Sequence, residues 1–238
     1  MSPDSAPSPL FATTRWSVVL AARHVDSTMA METLCRAYWY PLYAYVRREG
    51  HPPHDAQDLT QEFFARLLEK DWLRAAGPEQ GRFRTFLLVA MKRFLINEWH
   101  KQAAQKRGGQ ITHVPLDVDD AERRFACEPE LVPDAMFERR WAMTLLEQTL
   151  TALEAEFASA GKGADFFAMK HCLTLDRGSI SYAELAAKTG CGEGAARVAV
   201  HRLRKRFREL FRENIAATLA EGEDVETEIQ HVVAVLAG

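Results

Sequence analysis

Several kinds of segment are scarce or missing in this 238-residue chain, and each absence excludes a class of function. Uncharged apolar runs such as Ser17–Ala22 (SVVLAA) fall far short of the ~20 residues that span a bilayer. The N-terminus lacks the basic stretch and apolar core of a signal peptide, so the expected location is the cytoplasm, with no membrane partner. The four cysteines, Cys35, Cys127, Cys172 and Cys191, lie far apart, without a CxxC or a Cys/His pair at zinc-ligand spacing. Neither a disulfide framework nor a metal site is expected. There is no nucleophile motif, phosphate-binding glycine loop or HExxH pair, so no catalytic residue and no cofactor is expected, and the chain does not read as an enzyme. No strand-like alternation of any length precedes residue 109, and no solenoid repeat is present.

The patterns that remain are helical. They predict an all-α fold: two small helical domains joined by an acidic linker, the second containing a helix-turn-helix. Residues 1–12, rich in Ser, Pro and Ala, read as a disordered leader. Residues 13–108 read as the first domain. Within it Pro41 is expected to open a new helix, Asp55 to cap the helix running to Leu73, and Arg82–Arg107 to form a long helix stopped by Gly108 and Gly109. Residues 109–134 carry seven acidic and two basic residues among Gly and Pro, which marks the linker. Residues 135–220 form the second domain. Residues 221–238 are an acidic C-terminal extension in which Val225, Ile229, Val232 and Leu236 fall on one helical face.

Charge is distributed unevenly. From Gly192 to Arg212 there are seven Lys or Arg against two Glu, a local balance of +5 in a chain of net charge −3. Ser181 with Glu184 makes a capping box, Gly190 suits a left-handed helix stop, and Ala196, Val200, Leu203 and Phe207 give the following helix an apolar stripe. Its other face carries arginines. In a helix-turn-helix the early residues of the second helix approach base edges, so Glu193, Arg197, Val198, His201 and Arg202 are candidates for DNA contact, with Arg204, Lys205 and Arg208 as backbone anchors. A second basic surface lies on Arg82–Arg107, with seven Lys or Arg against Glu98 alone. Phe83, Phe86 and Trp99 are interleaved with those charges, a composition suited to phosphate tracking and base stacking. Phe83, Leu87, Ala90 and Phe94 share one face and read as core. The helix after Asp55 has the opposite sign, with Asp58, Gln61 and Glu62 on one face.

In combination, DAQDLTQEFFARLL, a Gly-containing loop at 77–81, RFRTFLLVAMKRFLINEW, the acidic linker and SYAELAAKTGCGEGAARVAVHRLRKR resemble the extracytoplasmic-function (ECF) group of bacterial sigma factors, over residues 30–108 and 138–215. The resemblance implies that 13–108 is sigma region 2 and 135–220 region 4, and that the chain binds core RNA polymerase and gives it promoter specificity. It implies that Asp58, Gln61 and Glu62 dock on the clamp helices of the largest polymerase subunit, with the flap of the second largest as a further contact. Gln80, Arg82, Arg84, Lys92, Arg93, Asn97, Trp99 and Lys101 then serve the element near minus ten and strand opening, and the helix-turn-helix reads the element near minus thirty-five. Promoter DNA is the implied ligand, and an anti-sigma factor a further partner that such a protein can have.

The chain departs from the family pattern in three places. The segment LEAEFASAGKGADFFAMKH replaces the usual Leu-Pro stretch before the helix-turn-helix, Ala196 stands where a larger aliphatic residue is common, and the acidic extension is an addition. That extension is expected to fold back on the basic region 4 helix or on the linker. The alternative function is a stand-alone helix-turn-helix transcriptional regulator whose first domain dimerises or senses a ligand.

Overall fold

The computed structural model describes residues 16–22, 28–69, 72–77, 79, 81–104, 118–220 and 222–237. The expected leader and the start of the linker lie outside them. Among the described residues every regular element is helical: α1 (Trp16–Ala22), α2 (Thr28–Arg48), α3 (Pro53–Glu69), α4 (Trp72–Ala75), α5 (Phe83–Ala104), α6 (Val118–Ala126), α7 (Pro133–Ser159), α8 (Gly163–Met169), α9 (Tyr182–Thr189), α10 (Glu193–Ala216) and α11 (Val225–Ala237), with 3-10 turns at Lys170–Leu173 and Arg177–Ser179. The fold is all-α. By contacts the chain divides into two compact units, one containing Leu145–Asn214 and the other Ala12–Thr144 with Ile215–Gly238.

The unit containing Ala12–Thr144 is organised around α2. Leu34, Ala37, Tyr38, Trp39 and the run Leu42–Val46 are all buried, so this helix is apolar around most of its circumference and needs neighbours on several sides. It has them in α1 and α3. Pro41 does not open a new helix, because α2 runs through it. An interior proline costs roughly 3 kcal/mol, which the burial of large side chains on both sides of it offsets. α3 starts at Pro53, whose fixed φ and missing N–H suit a first helical position, and Asp55 falls inside the first turn instead of capping it. Phe63 meets Phe94 edge-on at 5.8 Å, which ties α3 to α5.

α6 is clipped to α2 by charge. Arg47 Nε donates to Glu122 Oε1 at 2.7 Å and its Nη2 to Oε2 at 3.0 Å, and the Tyr43 hydroxyl donates to the same carboxylate. The Arg47 hydrogen bonds hold the Glu122 carboxyl below the ordinary carboxylate range. Burial, together with the bond to Glu122, pushes the Tyr43 phenol above its usual range. Phe125 lies under the guanidinium groups of Arg47 and Arg48, at 4.7 and 4.8 Å.

The same unit holds α11. Asp224 caps it, accepting from the Thr227 N–H at 2.8 Å, and Arg139 donates to the Val235 and Leu236 carbonyls at its other end. Its inward face is buried at Glu228 and Val232, both 0% exposed. Among the described residues this extension meets Arg82 and Arg84 at the start of α5 and Glu138 and Arg139 on α7. The reason is the carboxylate within its apolar stripe, which must find cations in a buried place.

Candidate nucleic-acid interface

In the unit containing Leu145–Asn214, α9 begins where Ser181 turns the chain out of extended backbone, and the Ser181 hydroxyl accepts from the Glu184 N–H at 3.5 Å. It ends at Gly190, with φ 68° and ψ 26°, in the left-handed region that a side chain makes costly. The Cys191 N–H then returns to the Ala186 carbonyl at 3.1 Å, and α10 follows two residues later. Leu185 and Ala186 on α9 join Ala196, Val200 and Leu203 on α10 in a core completed by Ala152, Leu153, Phe166, Met169 and Cys172. Ala186 and Ala196 are small where the two helices pack, and Ala196 is 1% exposed.

That core fixes which side chains of α10 face outward. Glu193, Arg197, Val198, His201, Arg202 and Lys205 are all exposed. The Arg197 guanidinium lies 4.4 Å from the centroid of the Tyr182 ring, a stacking contact that orients it without satisfying its hydrogen-bond donors. Arg197, His201 and Arg208 line a cleft of about 680 Å³ whose other wall includes Asp176. Arg204 is placed differently: its Nε and Nη2 donate to the Cys172 carbonyl at 2.8 and 2.6 Å, and Nη2 also donates to the Leu175 carbonyl. It clamps α10 to the end of the preceding 3-10 turn. Arg206 faces Glu156 at 2.7 Å, Glu213 at 3.2 Å and Glu209 at 3.5 Å, and the hydrogen bonds with Glu156 raise its proton affinity further. The side of α10 carrying Arg206 is thus charge-balanced, Arg197, His201 and Arg208 share a second, outward face, and Arg202 is exposed about 140° around the helix from Arg197.

On α5, Lys92 pairs with Asp134 at 2.6 Å on the surface, while Arg93 and Asn97 are exposed. Trp99 is 67% exposed, with its ring edge-on to His100 at 5.0 Å. Gln80 and the Lys101 side chain lie outside the described residues. Arg82 and Arg84 are held by carboxylates. Arg82 reaches Glu223 at 3.3 Å and Glu228 at 2.7 Å; Arg84, 3% exposed, reaches Glu138 at 3.0 Å and Glu228 at 2.6 Å. Just before them Gly81 takes φ 96°, which lets the chain turn into α5.

On α3, Asp58 lies 3.2 Å from His54 Nδ1, Glu62 pairs with Arg66, and Gln61 is 6% exposed. Arg66 also reaches Glu98 on α5 at 2.6 Å. This face carries carboxylates already in contact with a histidine and an arginine. The roles of Glu228, Glu138 and Glu156 were not anticipated from sequence. For Glu228 a signal existed, since it falls on the apolar stripe of α11 between Val225 and Val232.

Among the described residues no group of three or more His, Cys, Asp or Glu side chains could hold a metal ion, and no helix is long and apolar enough to cross a membrane. The four cysteines are free thiols, and burial pushes Cys35 up to about 11.

Comparison with known proteins finds a likeness over part of the chain. Residues 34–105, from α2 to the end of α5, match Sigma-70 region 2. The chain is 26% identical over 168 residues to the ECF RNA polymerase sigma factor SigF of Caulobacter vibrioides (strain NA1000 / CB15N), a match covering 71% of this chain and 77% of that protein. No solved structure matches it.

Proposed function

We propose that this chain is an ECF-type sigma factor: it binds core RNA polymerase, directs it to promoters and assists strand opening, without chemistry of its own. The observation that carries the reading is the pairing of a Sigma-70 region 2 segment with a second unit whose turn at Gly190 presents Arg197 and Arg202 from a buried helix pair. In this reading residues 135–220 serve as region 4 and 109–134 as the acidic connector. Arg197 and Arg202 supply base contacts, since a guanidinium can bridge two acceptors on guanine, and Lys205 supplies phosphate contact. Arg204 positions α10 through its carbonyl contacts. On the region 2 side, Arg93, Asn97 and Trp99 form the outward surface for the separated strand, where an exposed indole can stack on an unpaired base. Asp58 and Glu62 form the polymerase-facing surface, and their bonds to His54 and Arg66 are exchanged for bonds to the partner's cations on docking, whereas Gln61, buried at 6% exposure, stands behind it.

Run-off transcription with purified core polymerase on a fragmented genomic template tests the reading, with transcripts expected only when the factor is added. Replacing Arg197 and Arg202 by alanine should weaken upstream-element recognition by about 1–3 kcal/mol per lost bidentate contact and leave polymerase binding intact. Reversing Asp58 and Glu62 to lysine should impair association with core enzyme. A chain that fails to bind core polymerase but binds a duplex palindrome as a dimer would overturn the reading in favour of a stand-alone regulator.

A further inference from the structure

At the start of α5, Arg82 and Arg84, two of the residues expected to serve strand opening, are engaged by carboxylates, two of which come from the C-terminal segment. Arg82 and Arg84 project from the start of α5, immediately after the turn at Gly81. Glu228, 0% exposed, sets one carboxylate oxygen 2.6 Å from Arg84 Nη2 and the other 2.7 Å from Arg82 Nη2. Glu223 adds a contact to Arg82 Nε at 3.3 Å, and Glu138 on α7 accepts from Arg84 Nε. The Trp141 ring lies 4.0 Å from the Arg84 guanidinium and closes the site on its apolar side. Of the three carboxylates, two belong to the acidic extension.

A buried ion cluster is a poor device for stability, because apolar side chains of similar volume do as well or better at such places. What it provides is dependence: without Glu228, two guanidinium groups lose their shared counter-charge and require another anion. A guanidinium fork that accepts a carboxylate also accepts a phosphate, with the same planar geometry. The segment bearing the carboxylates is held lightly. Past Glu223 it is a 13-residue helix with one fully buried apolar residue, Val232, beside Arg139's contacts to its last carbonyls and His231's to Glu138. The site stands at the head of the helix to which the strand-opening role is assigned.

We propose that Arg82 and Arg84 form an anion site for the phosphodiester backbone of single-stranded DNA, and that the C-terminal extension occupies this site, with Glu228 on α11 and Glu223 just before it, until it is displaced. The extension is then an internal competitor that keeps the isolated protein from holding single strands. This rests on the sigma-factor reading for its biological setting, but not for its test.

The test is filter binding of an end-labelled single-stranded oligonucleotide, without polymerase, to the intact chain, to a chain ending at Ala220, and to the full-length double variant Glu223→Gln with Glu228→Gln. Both altered proteins should bind more tightly than the intact chain. Their affinity should also fall more steeply with salt: two added phosphate contacts correspond to an extra loss of about sevenfold between about 50 and about 200 mM salt. Adding Arg82→Ala and Arg84→Ala to the shortened chain should abolish both gains, while the same pair in the intact chain should change little. The glutamine variant keeps the volume of both side chains, so the test survives if the shortened chain does not fold. Unchanged affinity and salt slope in a folded glutamine variant would overturn the proposal, as would a gain that persists without the two arginines. Run-off transcription fails or succeeds separately, so a failure of the sigma-factor reading is distinguishable from a failure of the masking site.

Discussion

Two glycines two residues apart should respond to substitution with opposite signs. Gly190 sits at φ 68°, and a Cβ built on it meets no atom within 4 Å, so Gly190→Ala introduces backbone strain and no clash. Left-handed backbone costs an L-residue roughly 1–2 kcal/mol. The lost freedom of the unfolded chain returns about 0.4–1 kcal/mol. The net expectation is a loss of about 1 kcal/mol. Gly192 is the residue whose carbonyl accepts from Ala196 N–H at 3.0 Å, the first bond of α10. It occupies the N-cap, its φ is not positive, and the space around its Cβ position is open. Gly192→Ser should stabilise by a few tenths of a kcal/mol through a side-chain acceptor for the free N–H groups of the first turn. Native-state hydrogen exchange on the full chain reads both changes, since opening free energies are measured segment by segment. Amides of α9 and the first half of α10 should exchange about fivefold faster in Gly190→Ala and slightly slower in Gly192→Ser. Gly190→Asn should lose less than alanine, because asparagine tolerates the left-handed region. No change in Gly190→Ala, or an equal loss in Gly190→Asn, would refute the argument from backbone conformation.

Two further expectations concern the cores. Leu203 is 0% exposed among Phe166, Cys172, Leu185 and Val200, so Leu203→Ala should cost about 2–5 kcal/mol, and exchange protection across α9 and α10 should collapse. Glu122 has its folded pKa depressed by Arg47, so its contribution is present above the ordinary glutamate value of about 4.3 and is lost as pH falls from there through the folded value. Glu122→Gln should therefore lower stability near neutral pH and flatten its fall in acid, as followed by thermal unfolding across that range.

The local signals that the chain carries are those that depend on neighbours in sequence. Ser181, Glu184 and Gly190 announce the boundaries of α9, and the stripe Ala196, Val200, Leu203 points inward as its spacing requires. Pro41 misleads, since its backbone preference is overridden by burial of Tyr38, Trp39, Leu42 and Tyr43, a tertiary effect invisible to local rules. The arginines show the limit most clearly. Arg82, Arg84, Arg197 and Arg204 are equivalent on a helical wheel count of charge, yet one stacks on an aromatic ring, one clamps carbonyls and two meet carboxylates more than a hundred residues away. The destination of a guanidinium is set by the fold. Only Glu228, a carboxylate on an apolar stripe, hinted at where two of them would go.

The five tryptophans are Trp16, Trp39, Trp72, Trp99 and Trp141, and none lies in Leu145–Asn214. That unit therefore holds no indole of its own to report on α9 or on the part of α10 within it. Trp141, 4.0 Å from the Arg84 guanidinium, sits instead beside the charge cluster through which the acidic extension grips the start of α5. The molecule carries its own optical reporter for the release of that grip, and a single tryptophan placed on α10 would supply a second, spectrally equivalent eye on the other unit.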